Sequence, residues 1–529
     1  KINFSNAGFK FYRDKTSTAG IANQIAAVKG GGYLRAVKTN TDTMACEART
    51  TGTRNVAMSF DCSNPISCVP GQTLKLTDNT TSATTSTIFN GSEAGLIKNV
   101  SLTFDNQGFA PLGIEYSDVG QLRLSASLSL PAAGNNPAVT LSGFSDFVVR
   151  PYRINVTNAL FSDTSDPANP VNTTNPQSLG TGPGFIAAGD PFQLDVSAVN
   201  ALGAITPNYG NETTAPETVA VEFGQLVHPA GGVDGTFTQG ATFTKITNGM
   251  FNSSGFSWNE AGSFSVLARV ADNDYLGTGS GAAFSSVPYI VGRFYPKHYT
   301  LASSTLENSC AAFTYMGQPA IKLAYELQAR NFAGEITQNY GPAYGVLAVP
   351  SVVLENADNG TSLSSRINVP ASSWVAGEYK LMHTDLSFSK QALPDGPYSS
   401  LKAGIQITDD LDGRSLEVKD MDPTSAGACG SSCVAAALSG TLDMRYGRFA
   451  LLNASGPEDE DLPIVLQSQY WNGSRFERNL DDSCSLFAAA NLNVTGITTL
   501  KGGTSGTMVT GQNPFSGIFI PAPGVPGNA

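Results

Sequence analysis

Histidine supplies most general bases, activated nucleophiles and nitrogen metal ligands, and this chain holds three: His228, His298 and His383. His298 follows Tyr295-Pro-Lys, His228 precedes a Pro-Ala-Gly-Gly loop, and His383 falls in a strand-like run. None has a second His or a Glu at ligand spacing, so packing and surface roles are expected for all three. No Gly-x-Ser-x-Gly elbow is present. Gly180-Thr-Gly-Pro-Gly184 and Gly277-Thr-Gly-Ser-Gly281 imitate phosphate-binding loops, but neither opens a helix after a parallel strand, and both read as plain loops. Asp and Glu are scattered, with no pair marked out for glycoside hydrolysis. Calcium is the best inorganic candidate. Asp409, Asp410 and Asp412 surround the turn at Gly413, and Glu458-Asp-Glu-Asp461 is a second acidic cluster. Calcium takes six to eight hard oxygens, often from loops; the plainer reading is a solvated Asp-Gly turn. Tyr470, Trp471 and Asn472, before Gly473, form the best glycan-binding candidate, against a hairpin with its aromatic packed inward. No enzyme emerges from this inventory, and no cofactor beyond that calcium.

Seven cysteines remain: Cys46, Cys62, Cys68, Cys310, Cys429, Cys433 and Cys484. Only Cys62 with Cys68 and Cys429 with Cys433 lie close together, with no His near either pair, so disulfides in an oxidising compartment are expected rather than zinc. An odd count leaves one thiol over, and which of Cys46, Cys62 and Cys68 it is stays open.

The elements that would carry these residues are strands. Apolar and polar residues alternate through Leu122–Leu130, Phe192–Ala198, Val219–Phe223, Phe264–Val270 and Ile321–Ala329, each run bounded by Gly, Pro, Asn or Asp. That is the pattern of strands buried on one face. Helical candidates are limited to 19–29 and 432–439. Of the 529 residues 41% are hydrophobic and only 14% charged, with 55 Gly and 29 Pro, which suits many short strands joined by turns rather than a disordered chain. A net charge of −12 without a basic run excludes nucleic acid held through its phosphates and argues against anionic membranes. No stretch is long and apolar enough for a transmembrane helix. No signal peptide opens the sequence, so a removed leader or a start inside a longer protein is expected.

An internal repeat organises the middle of the chain. Residues 198–210 read AVNALGAITPNYG and residues 329–341 read ARNFAGEITQNYG. Upstream, Gly189-Asp-Pro191 matches Gly317-Gln-Pro319; downstream, Trp258 to Phe264 is set against Trp374 to Tyr379. Each copy predicts a strand, an Asn-x-x-Gly turn and a second strand at Ile-Thr, with its Trp packed between sheets. The expected fold is all-β: tandem immunoglobulin-like β-sandwiches with long loops. The expected domains are 1–148, 149–295 (first repeat), 296–440 (second repeat) and 441–529, ending in a Gly/Pro-rich tail. Residues 162–184 are expected as a long exposed loop.

Several segments together resemble a bacterial family. They are Leu34-Arg-Ala-Val-Lys-Thr39 with Cys46, Cys62 to Cys68, Asn208-Tyr-Gly210, Asp274-Tyr-Leu-Gly277 and Gly292-Arg-Phe-Tyr-Pro296. They continue through Phe313 to Pro319, Pro394-Asp-Gly-Pro397, Arg445-Tyr-Gly-Arg448, Tyr470 to Gly473 and Asp481-Asp-Ser-Cys484. Shared order over residues 1–490 makes the sequence similar to the large secreted protein of MSHA (mannose-sensitive haemagglutinin) type IV pilus biogenesis, with its conserved domain of unknown function. Such proteins often carry a lectin-like domain ahead of this region and further strands after the Asp-Asp-Ser-Cys segment. Neither is found here, and a truncated, processed or divergent member is expected. The resemblance implies the cell surface or extracellular space, partners in a pilus or filament, and adhesion. Cys310 opens the second repeat and Cys484 closes the last matched segment, so a Cys310–Cys484 bridge is expected, beside Cys429–Cys433. Two alternatives accompany the structural or adhesive reading. One is a filament subunit exchanging strands with itself through Ser516-Gly-Ile-Phe-Ile-Pro521, and the other is an adhesin for a host or surface glycan.

Overall fold

The computed structural model describes residues 7–16, 20–39, 46–79, 86–133, 137–163, 171–279, 287–492, 495, 500–503, 505–514 and 517–522. The protein is all-β, and the immunoglobulin-like sandwich architecture follows from the alternating runs. Among the described residues helical structure is confined to single turns at Gly91–Glu93, Ser364–Arg366, Gly430–Ser432 and Ala489–Asn491. Both helical expectations fail. Within 19–29 the chain forms the short strand Gln24–Ile25, held beside Val149 and Arg150. Within 432–439 Ala436 and Ala437 pair with Ile405 and Gly404, and Ala435 is fully buried. Neither segment has the length at which helix propagation repays its nucleus, so sheet pairing takes them.

The chain divides into two compact units, Lys1–Ala230 with Asp234–Asn259 and Ser263–Arg293, and Gly231–Val233 with Glu260–Gly262 and Phe294–Ala529. In the first unit one sheet runs in the order Ala7–Tyr12, Gly30–Thr39, Phe109–Tyr116, Thr73–Asp78 and Ser86–Asn90. A second runs Gln24–Ile25, Val139–Arg150, Gly120–Leu130, Gly52–Asn64 and Lys98–Phe104. Leu122, Leu124 and Ala126 enter the core between them, while Arg123 faces out and pairs with Asp146. The next sheets are built on Arg153–Asp163, Phe192–Val199 and Met250–Trp258, and on Val219–His228, Gly262–Val270 and Tyr289–Phe294. Part of the expected exposed loop 162–184 is ordered instead. Val171–Thr174 pairs with Leu160–Asp163, and buried Asn175 holds Ile290 O and Gly292 N through its amide.

In the second unit His298–Glu307, Ile321–Arg330, Glu378–Leu386 and Trp374–Val375 form one sheet. Thr314–Tyr315, Leu442–Arg445, Tyr398–Thr408 and Val349–Asn356 form another, and Tyr299, Tyr325, Leu327, Tyr340 and Trp374 fill the core. In the C-terminal region the described residues form three small sheets around Leu466, Phe487, Met508 and Ile518.

The repeat is real, but its downstream match is one strand out of step. Ala198 N donates to Gly249 O, and Ala329 N to Gly377 O. Val196 faces Phe251 across the sheet as Leu327 faces Tyr379. Gly377 therefore corresponds to Gly249, not Gly262. Trp258 ends one strand and donates to Asp234 O, whereas Trp374 precedes the equivalent strand and donates to Ala348 O. Both indoles are buried, as expected. The predicted second strand at Ile-Thr is shorter than expected: Ile205 and Ile336 form only isolated bridges, to Val199 and Arg330.

Candidate functional site

The repeated Asn-x-x-Gly…Ile-Thr…Asn-Tyr-Gly segment folds as a fixed corner because each polar side chain closes a backbone group. Asn200 Oδ1 accepts from Leu202 N and Ala204 N at 3.0 and 3.1 Å, and Asn331 Oδ1 accepts from Ala333 N and Glu335 N, both at 2.9 Å. The Thr206 and Thr337 hydroxyls return to the carbonyls of Ala198 and Ala329. Tyr209 and Tyr340 are buried beneath; Tyr209 donates to Thr218 O, and the Tyr340 hydroxyl accepts from Ala348 N.

The Asn of each Asn-Tyr-Gly then docks into a seat headed by a buried carboxylate. In the first unit Asn208 N donates to both oxygens of Asp118 at 3.2 Å. Its amide nitrogen donates to Val119 O and Tyr116 Oη, and its Oδ1 accepts from Val69 N at 2.8 Å. In the second unit Gln338 N and Asn339 N donate to Glu260 Oε1 and Oε2, each at 3.0 Å. Asn339 also exchanges two bonds with Val233, Nδ2 to O at 2.9 Å and N to Oδ1 at 2.8 Å. Asp118-Val-Gly120 and Glu260-Ala-Gly262 are the same device, a carboxylate in a turn whose Gly has φ +130° or +120° before the strand starts. Burial pushes the Asp118 carboxyl up to about 7, against the N–H groups of Val119 and Asn208 that favour its charge; Glu212 nearby adds to the rise. Burial raises Glu260 as well, opposed by its three N–H donors. Glu212 lies beneath the first corner, accepting from Tyr275 Oη and Glu217 N, and both Glu212 and Glu217 are raised chiefly by burial. Sequence reading found the two Asn residues but not the acids. The signal available was an acid two residues before a strand-opening Gly.

Of the other candidates, Cys68 borders the first seat, its Sγ accepting from Tyr116 Oη at 3.3 Å. Asp409 turns its oxygens to Asp412 N, Arg414 N and Tyr299 Oη, closing its own Asp-Gly loop. Asp410 and Asp412 stay on that loop, and no further acidic ligand joins the three among the described residues. Glu458–Asp461 is exposed, with Asp461 paired to Lys501. Asn472 Oδ1 accepts from Ser474 and Arg475, its Nδ2 donates to Glu477, Tyr470 Oη donates to Glu477, and Trp471 packs edge-on against Phe476. His298 stands 3.5 Å from Glu417, and His383 meets Pro370 O. His228 ends the strand Val219–His228 ahead of a cis Pro229. Gly180–Gly184 is an irregular segment whose Gly182 O holds Arg293, while Ser280 and Gly281, at the end of the other Gly-rich stretch, lie outside the described residues. Disulfides join Cys62 to Cys68, Cys310 to Cys484 and Cys429 to Cys433, leaving Cys46 exposed and free. Ile518–Ile520, from the proposed exchange segment, is already paired within its own chain to Leu462–Pro463 and Lys501–Gly502; Ser516 lies outside the described residues.

Four family models match this chain in order. They are the first, immunoglobulin-like domain of the domain of unknown function DUF6701 at residues 1–144, its second domain at 150–254, its third at 260–436 and its fourth at 445–518. No curated protein matches. Among solved structures, the bacterial integrin-binding protein invasin aligns at 9% identity and TM-score 0.32, over 97% of this chain and 73% of its own. The Escherichia coli adhesin FdeC aligns at 11% and 0.24, over 78% and 96%. The D0-D1 domain of intimin aligns at 13% and 0.13, over 54% and 97%.

Proposed function

Given that the chain belongs to the DUF6701 family, matching its first to fourth domains in order, we propose that it is a non-enzymatic extracellular or cell-surface protein. Its tandem sandwiches serve as a structural and adhesive component of a surface filament of the type IV pilus kind. The observation that carries this reading is the repeated seat. A spacer that must transmit force needs joints whose polar groups are closed and buried, and both Asn-Tyr-Gly corners end in such a joint. Three disulfides suit an oxidising exterior. The resemblance to the secreted pilus-biogenesis protein supports the filament assignment. The test is immunogold electron microscopy of intact producing cells with antibody raised against the purified chain. Label on the cell surface and along fibres is expected. Label confined to the cell interior overturns the proposal.

A further inference from the structure

Among the described residues the strand Gly447–Leu451 ends its sheet, pairing only with Leu466–Trp471. Trp471 N donates to Tyr446 O and Leu452 N to Val465 O. Antiparallel alternation from those two bonds turns the amide groups of Arg448 and Ala450 inward and those of Gly447, Phe449 and Leu451 outward. The Gly447 carbonyl faces out accordingly and is taken by Lys390 Nζ at 2.6 Å. Phe449 and Leu451 are 51% and 59% exposed, on an edge that most proteins blunt with charge or a bulge. Along this strand runs a groove of about 620 Å³ lined by Tyr315, Lys390, Phe449 and, across it, Ser485 and Leu486, the last 75% exposed. Two cations border it without an acid. Arg448 lies over the Phe476 ring and reaches Gln469 Oε1, and Lys390 lies over Tyr446. Among the described residues neither forms an ion pair, in a chain with 43 acidic against 31 basic side chains.

We propose that this edge accepts an extended, acidic strand of another polypeptide. Its backbone would pair with the outward amides of Phe449 and Leu451. Alternate apolar side chains would cover Phe449 and Leu486, and a carboxylate would meet Arg448 and Lys390. Backbone pairing of this kind supplies affinity while the side-chain pockets supply selection. The inference stands whether or not the chain serves a filament.

The test titrates the full chain into a fluorescein-labelled peptide alternating valine and glutamate, with a matched valine–lysine peptide as control. Binding of the acidic peptide alone is expected. Arg448→Glu reverses the charge at an exposed position, and Leu451→Pro removes one outward N–H while leaving the ladder bonds, a strand setting that tolerates proline. Each should weaken binding by about tenfold or more, and thermal unfolding of both variants checks that they fold. Equal binding of the two peptides overturns the proposal. So does no binding of the acidic one up to about 1 mM, or an affinity that Arg448→Glu leaves unchanged. Binding of polygalacturonate in place of the peptide reassigns the groove to an acidic glycan and also overturns it.

Discussion

A single amide decides each corner. Asn339 uses its Oδ1 and Nδ2 on one residue, Val233, and its N–H on Glu260. Asn208→Ala leaves the Val119 carbonyl without its amide partner in a buried place, and an orphaned buried group costs about 1–3 kcal/mol. Urea unfolding of Asn208→Ala should show a loss of that size, and Asn339→Ala a smaller one, since Val233 is 41% exposed and water can reach its freed groups. A loss under about half a kcal/mol in both variants, below the worth of an ordinary hydrogen bond, would remove the seats from any structural role. The carboxylates add a pH term. Folded Asp118 keeps its proton to about 7, from an ordinary 3.8. A raised carboxyl favours the fold fully below the unfolded value, and that contribution is lost as pH rises through the folded one. Glu212 and Glu217, also raised, act in the same sense, and Tyr116, Tyr209 and Tyr275, raised too, titrate far above this window. The first unit should thus lose stability between pH 4 and 7. Asp118→Asn carries no such charge, so its stability relative to the parent should climb across that interval; a flat difference between pH 4 and 7.5 would contradict the assignment.

At the level of elements, the corner is closed by a glycine that starts the next strand. Gly249 and Gly377 have φ of +73° and +79°, and a Cβ there would stand 2.6 Å from Thr206 O and 2.5 Å from Thr337 O. Gly377→Ala must therefore strain both the backbone and its contact, and a loss of about 2 kcal/mol or more is expected from chemical denaturation. Gly334→Ala, also at positive φ but with open space around it, should cost about 1 kcal/mol, the backbone share alone. These elements were partly legible beforehand. Leu122 to Leu130 and Ile321 to Ala329 show their buried faces by alternation alone, and the two Asn-Tyr-Gly segments show their kinship by spacing. The Trp-to-Gly match misled because both tryptophans lie near a glycine and an aromatic, a likeness of composition that pairing register does not share. The seats stayed hidden for a different reason. Asp118 and Asn208 are 90 positions apart, and Glu260 and Asn339 are 79 apart, so no local pattern joins acid to amide.

Across the whole molecule, stability is unevenly supplied. The sandwiches of both units bury large aromatic cores, whereas the C-terminal region centres on Leu466, Phe487, Met508 and Ile518. A core that small supplies little beyond the entropy it must offset, and such regions depend on staples. Cys310–Cys484 is the covalent one, closing a span of 174 residues. Beside it Tyr315 Oη donates to Asp482 Oδ2 at 3.0 Å and accepts from Asn479 Nδ2 at 2.8 Å, while Arg445 pairs with Asp443 and Asp481. Removing a native bridge typically costs about 2–5 kcal/mol. Cys310→Ser combined with Cys484→Ser should therefore lower the calorimetric transition of the second unit and open residues 447–522 to limited proteolysis, leaving the first unit's transition in place. Cys429→Ser with Cys433→Ser, whose bridge spans only four positions, should shift it far less, because the entropy removed from the unfolded chain grows with the span closed. If the two double variants shifted the transition equally, the long bridge would not be what holds the C-terminal region, and the polar cluster around Tyr315 and Arg445 would have to carry it instead.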